Sequence, residues 1–130
     1  MGQQEIEVIL LRQLASYLAV PIFIVDPNGT LLFYNEPAEA LLGQRFEETG
    51  AMAADEWATS FRPIAADGTA IPADRLPLIR ALTDRQPTHA DFWIEGLDRV
   101  RRHLSVTAVP LDSQAGRLLG AVAFFWENAP

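Results

Sequence analysis

Residues 21–43 read PIFIVDPNGTLLFYNEPAEALLG. Ile22 to Asp26 is β-branched and aromatic, which predicts a strand. Asp26-Pro27-Asn28-Gly29 predicts a tight turn, because proline presets its φ and Asn-Gly accepts positive φ. Thr30 to Tyr34 is then the return strand of a hairpin. Asn35 stands where a helix N-cap belongs, with Pro37 in the first turn and Gly43 as the stop after Ala38 to Leu42. A helix start leaves backbone donors unpaired. On the cap alone, Asn35→Ala is expected to cost roughly 0.5–2 kcal/mol.

Upstream, Gln4 to Ala19 predicts a helix that Pro21 ends. Ile6, Leu10, Leu14 and Tyr17 form one apolar stripe at helical spacing, and Val8, Leu11, Ala15 and Leu18 form a second. A helix docked on its own domain needs one stripe. Two stripes predict either deep burial within one chain or a helix shared with a partner chain. Downstream, Phe46 to Phe61 predicts one or two short helices, with Trp57 and Phe61 one turn apart on a common face. Asp67-Gly68-Thr69 predicts a turn, and Asp74 is placed to cap a helix reaching Asp84, with Ile79 and Leu82 toward the core.

The last third alternates. Ala90, Phe92 and Ile94 share one side of a strand ending at Glu95, opposite Asp91 and Trp93. Arg101 to Leu111 predicts a long strand with Leu104, Val106 and Ala108 against His103, Ser105 and Thr107. After a polar turn at Asp112 to Gly116, Leu118 to Trp126 is apolar on both faces, so both sides of the sheet should be covered. Strands at both ends with helices between predict an α+β fold on an antiparallel sheet.

Three stretches in this order resemble a PAS domain over about residues 20–127: IFIVDPNGTLLFYNEPAEALLG, DGTAIPADRLPLIRAL and LSVTAVPLDSQAGRLLGAVAFFW. The first is similar to the family's opening hairpin and Asn-capped helix. The second resembles its proline-opened helix. The third resembles its closing hairpin, with Pro110 before the turn and Gly120 after it. The resemblance implies a five-stranded antiparallel sheet with short helices on one face. It also implies a sensory or dimerisation role in signal transduction, in the setting of a kinase, cyclase or transcription regulator. The domain organisation expected is an N-terminal amphipathic helix over 1–19 for dimerisation or capping, the PAS domain over 20–127, and a tail over 128–130. The exit Trp126-Glu127-Asn128-Ala129-Pro130 lacks the Asp-Ile-Thr-like sequence that couples many such domains to an effector, so an excised or free-standing module is expected.

Composition narrows the chemistry. The chain has 130 residues, about one domain, and no cysteine. All ten basic residues are arginine. Disulfides, a thiol nucleophile, a cysteinyl flavin, a Schiff base and a P-loop lysine are therefore absent. A net charge of −7 argues against nucleic acid. No apolar run approaches the ~20 residues of a membrane span, and the polar first residues read as no signal peptide, so a cytosolic protein is expected. By resemblance, a haem-binding relative would carry an axial His in the helix before the sheet. Asp74 to Asp84 has none. His89 and His103 read as surface residues. A noncovalent flavin is left open, and no metal site is expected.

Other groupings read more plainly as structure. Arg99, Arg101, Arg102 and His103 make a solvated strand end before they make a phosphate site. Glu47-Glu48 and Asp55-Glu56 are sequence neighbours that do not converge on one helix face. Ser60 and Ser105 lack a nucleophile-elbow context, so no catalytic residue is assigned. Strand alternation points Phe92, Ile94, Leu104 and Val106 toward the helices, and resemblance to ligand-contacting positions adds Phe23 and Val25. Trp57, Phe61 and Leu82 would close the helical side. The expected pocket is apolar, empty or holding a small hydrophobic molecule. A homodimer is expected on Ile6, Leu10, Leu14 and Tyr17, with Trp93, Trp126, Ala121 and Ala123 on the outer sheet face. The functional reading is a noncatalytic sensor and dimerisation module. A ligand-free interaction module serving an effector domain or signalling partner is the alternative, and a small enzyme is a remote one.

Overall fold

The computed structural model describes residues 6–128. Gln4, Glu5, Ala129 and Pro130, which the expected helix and tail include, lie outside the described residues. The chain runs α1 (Ile6–Ala15), β1 (Ile22–Val25), β2 (Leu31–Tyr34), α2 (Glu36–Leu42), α3 (Phe46–Thr49), α4 (Ala54–Ser60) and α5 (Pro77–Asp84), with a 3₁₀ turn at Ala73–Arg75. Three strands then close it: β3 (Thr88–Glu95), β4 (Arg101–Asp112) and β5 (Leu118–Glu127). The strands form one sheet in the order β2-β1-β5-β4-β3, with antiparallel pairing throughout. The expected five-stranded antiparallel α+β fold is therefore the fold of this chain.

The hairpin turns as its sequence dictates. Gly29 takes φ 86°, and the Asp26 carboxylate accepts from the backbone N–H of Asn28 and Thr30, both at 2.9 Å. Asn35 caps α2 with an extended φ/ψ of −86°/176°, and Gly43 ends it at φ 83°. Gly43 also abuts Asp98, leaving no room for a side chain.

Two helices differ from expectation. α1 stops at Ala15, not Ala19. The Ser16 hydroxyl donates back to the Arg12 and Gln13 carbonyls, and Tyr17 and Leu18 tighten into three-residue turns on Leu14 and Ala15. Asp74 caps nothing. It lies in the 3₁₀ turn, and Leu76 precedes α5 with no side-chain cap bond. Pro77 holds Leu76 extended at φ −73°, ψ 145°, so the helix restarts at the proline. Leu78 and Ala81 are buried in the core, and the half-buried Ile79 and Leu82 pack against its edge, as expected, over the hairpin turn at Gly29.

The sheet has two unlike faces. The inner face, toward α2–α5, carries the main core: Phe23, Val25, Leu31 and Tyr34 join Ile94, Leu104, Val106, Ala108, Ala121, Ala123 and Phe125. The outer face carries a smaller cluster of Ile22, Ile24 and Val122, on which Ala15 and Leu11 of α1 pack. Both faces of β5 are used, as its unbroken apolar run predicts. Ala121 and Ala123 point inward, on the face opposite Trp126, so they are not the expected close-approach points on the outer face.

Candidate functional site

An apolar cavity of about 70 Å³ lies between the inner sheet face and the helices and opens in part to the surface. Strand alternation aims Phe92, Ile94, Leu104 and Val106 into it, β1 supplies Phe23, and the helical side supplies Trp57 and Phe61. These are seven of the nine sequence candidates. Val25 is fully buried in the same core but does not line the cavity. Leu82 packs against the same core without lining the cavity, and Leu76, Pro77 and Leu78 stand there instead. Leu42, Ala58, Pro63, Ala123 and Phe125 complete the wall. Periodicity alone could not select Phe125 over Trp126, since β5 is apolar on both faces.

The wall exposes only apolar surface. The polar groups nearby are turned away and engaged. Trp57 Nε1 donates to the Gly29 carbonyl at 2.8 Å, which ties α4 to the hairpin turn. The Tyr34 hydroxyl donates to the Gln44 carbonyl at 2.8 Å. Burial pushes the Tyr34 phenol above its ordinary range, although Thr49 beside it acts in the opposite sense. Phe23 forms the aromatic centre of the site. Its ring lies parallel to Tyr34 at 5.9 Å and edge-on to Trp57 at 5.2 Å and Phe61 at 6.2 Å. No buried side-chain polar atom among the described residues is left without a partner. Such a wall can hold an apolar molecule. It offers no donor, acceptor or charge to a polar one, and burying an unpaired polar group is unfavourable by roughly 1–3 kcal/mol.

The outer face is different. Val8 and Ala15 of α1 are buried, but Ile6, Leu10, Leu14 and Tyr17 are 67%, 56%, 55% and 80% exposed. One stripe is thus docked through Val8, Leu11 and Ala15, with Leu18 at its end exposed, and the other is bare. Arg12 anchors the helix further, its guanidinium 4.7 Å from the Phe33 ring centre and 5.6 Å from that of Phe46. Trp93 stacks on His103 at 4.7 Å, and Trp126 is 45% exposed. Both tryptophans lie on the outer face beyond the cluster that α1 covers. His103 is therefore half-buried rather than a free surface residue, and Asn128 reaches both its Nδ1, at 3.3 Å, and the Ser105 hydroxyl, at 2.9 Å.

The basic strand end is partnered in part. Arg102 donates to both Asp98 oxygens and to the Leu41 carbonyl, pinning the β3–β4 hairpin to α2. The bond to Arg102 holds the Asp98 carboxyl below its usual range. Among the described residues no group of three or more His, Asp or Glu is placed to hold a metal ion, and no helix is long and apolar enough to cross a membrane.

A sequence model of the family described as PAS fold matches residues 16–128. No curated protein matches the chain in sequence. Solved structures do match its fold. The PAS domain of Bordetella pertussis BvgS superposes with a TM-score of 0.60 at 16% identity, covering 95% of this chain and 87% of that one. The PAS domain of nitrogen regulation protein NR(II) from Vibrio parahaemolyticus gives 0.62 at 16%, covering 92% and 98%. A Rhodobacter sphaeroides LOV protein gives 0.76 at 12%, covering 96% of this chain and 69% of that one.

Proposed function

The chain belongs to the PAS fold family, and on that premise we propose that it is a noncatalytic sensory and dimerisation module of a signalling system. Its cavity is the sensing element, the ligand is a small hydrophobic molecule, and the bare stripe of α1 joins two copies. One observation carries this reading: the core beneath the helices contains a cavity whose wall is wholly apolar, framed by Phe23, Trp57, Phe61 and Phe92. A sealed, merely structural core would be packed through. Signalling relatives support the setting, since NR(II) is a nitrogen regulation protein and another solved match is the PAS domain of a two-component sensor histidine kinase. The working location we propose is the cytoplasm, beside an effector domain or a partner protein.

The dimer reading rests on α1. Ile6, Leu10 and Leu14 of α1, with Tyr17 in the turn after it, leave apolar side chains in water beside the docked stripe. Exposed apolar area is unfavourable by roughly 25 cal/mol per Å². A second copy covers the same patch by two-fold symmetry, with Trp93 and Trp126 as further contacts.

One observation favours the alternative of a ligand-free interaction module. The cavity, at about 70 Å³, is about half the ~150 Å³ of an apolar cavity known to take benzene. Toluene titrated into the purified chain decides between them. A melting temperature that rises with toluene, with quenching or a shift of tryptophan emission from Trp57, supports sensing. An unchanged melt in a chain that still dimerises supports the interaction module. We find no convergent acid, base or nucleophile set for catalysis among the described residues, and a cofactor would have to bind without a cysteine. Mass spectrometry and an absorbance scan of the purified protein test for any such group, and visible absorbance would contradict the chromophore-free reading.

A further inference from the structure

Asn35 is used beyond its cap. The residue is 1% exposed. Its Oδ1 accepts from the backbone N–H of Ile22 at 3.0 Å and of Ala38 at 3.2 Å. Its Nδ2 donates to the carbonyls of Ala15 at 3.0 Å and Val20 at 2.9 Å. Its own N–H donates to Ile22 O at 3.2 Å, and its carbonyl accepts from Glu39 N at 3.0 Å. A helix cap needs only the Oδ1 bond to Ala38. The two Nδ2 bonds serve something else: they hold the last residue of α1 and the segment joining α1 to β1.

The same residue touches the cavity wall at one remove. Ile22 and Tyr34 are the chain neighbours of Phe23 and Asn35 respectively, and Phe23 lines the cavity with its ring stacked on Tyr34. Ile22 is bonded to Asn35 through both its N–H and its carbonyl. The backbone that carries Phe23 is therefore fastened to one end of a planar, rigid amide, and α1 is fastened to the other. Among the described residues the other attachments of α1 include the burial of Val8, the apolar packing of Ala15 and Leu11, and the Arg12 guanidinium over Phe33 and Phe46. Such contacts are less directional than hydrogen bonds.

We propose that the Asn35 carboxamide is the joint that passes the state of the cavity wall to α1, with Oδ1 on the wall side and Nδ2 on the helix side. Asn35 is a positioning residue, since it meets no ligand. The inference rests on the cavity being the sensing element and α1 the interaction surface, and it adds the route between them. Coupling of this kind needs a measured interaction between the two ends, not proximity alone.

The test is hydrogen exchange followed by mass spectrometry on the full chain, in the parent, Phe23→Leu, Asn35→Ser and the double variant. Serine keeps a hydroxyl for the Ala38 cap and cannot reach Ala15 and Val20 with an amide. Asn35→Ser is expected to speed exchange over residues 6–15 by about tenfold, the scale of a lost buried hydrogen-bond pair, while β4 and β5 exchange as in the parent. Phe23→Leu, which reshapes the wall, is expected to speed α1 exchange in the parent and to add nothing once Asn35 is serine. Equal effects of Phe23→Leu in both backgrounds overturn the proposal. So does an α1 unmoved by Asn35→Ser, or a sheet loosened as much as the helix. If the serine variant does not fold, Asn35→Asp replaces it, since the carboxylate keeps both acceptor bonds and lacks both donors. Non-additive exchange in a chain that binds no toluene and stays monomeric leaves the joint standing and removes the sensing reading.

Discussion

The two faces of the sheet are built from the same five strands and finished in different ways. The inner face is closed by the chain's own helices around Phe23, Trp57, Phe61 and Phe125. The outer face is covered by α1 over Ile22, Ile24 and Val122, and there the helix turns its stripe of Ile6, Leu10 and Leu14 to solvent. The inner face contains everything it needs, apart from a small apolar void. The outer face carries apolar surface that this chain does not bury. The proposed division, sensing on one face and association through the other, rests on this difference in packing.

The comparison breaks most sharply at Trp57. Trp57→Ala removes a buried indole from the cavity wall and strands the Gly29 carbonyl. The expected cost is about 3–5 kcal/mol, read as a large drop in thermal or urea midpoint. A loss under about 1 kcal/mol would mean that the inner face is not the stabilising core.

Asn35→Ala comes next, because it acts on both faces at once. It removes the α2 cap and the two bonds to the α1 end, costing backbone groups of Ile22, Ala38 and Val20 a partner and leaving the Ala15 carbonyl with the Leu18 N–H. The expected cost is roughly 3 kcal/mol, above the ~1 kcal/mol of a cap alone. A denaturation midpoint shifted only by the cap's share would show that the α1 attachments contribute nothing.

Sequence reasoning reached the inner face more fully than the outer, and the reason is physical. Turn chemistry at Asp26-Pro27-Asn28-Gly29 and the cap at Asn35 are local, so nearby residues specify them. Alternation in β3 and β4 is clean because each has one polar side. β5 has no polar side, so nothing local says that Ala123 and Phe125 face inward while Trp126 faces out. In α5 the expected Ile79 and Leu82 do pack against the core but at its edge, over the hairpin turn, while Leu78 and Ala81 are buried, a ranking set by the tertiary contact with Gly29. The Nδ2 bonds of Asn35 were invisible for a third reason: their acceptors are carbonyls brought there by the tertiary path. The two stripes of α1 were legible in the sequence. Which one docks depended on the sheet beneath.

A smaller effect sharpens the inner side. Asp98 binds Arg102 at 2.9 Å where the β3–β4 hairpin meets α2. Its carboxyl is held below the ordinary range chiefly by that bond. A carboxylate depressed in the folded state contributes stability above its unfolded value of about 3.9 and loses it as pH falls through the folded value. Asp98→Asn is expected to cost about 1 kcal/mol or less at neutral pH. Its difference from the parent should shrink below about pH 4. A pH-independent difference, read from urea midpoints across that range, would show that the ion pair is not its source.

The smallest expected effect on folding belongs to the outer stripe. Leu10→Glu with Leu14→Glu changes two residues more than half exposed. Measured under conditions that keep the chain monomeric, its stability should move by no more than about 0.5 kcal/mol per site. Loss of the sheet signal in circular dichroism would mean that the stripe is buried within the single chain after all.

Multi-angle light scattering of the intact chain at micromolar concentration bears most directly on the division between the faces. The account predicts twice the mass of one 14.4 kDa chain, and the mass of a single chain for the Leu10→Glu, Leu14→Glu variant. A monomeric parent would contradict it, because the bare stripe of α1 would then have no second copy to cover it.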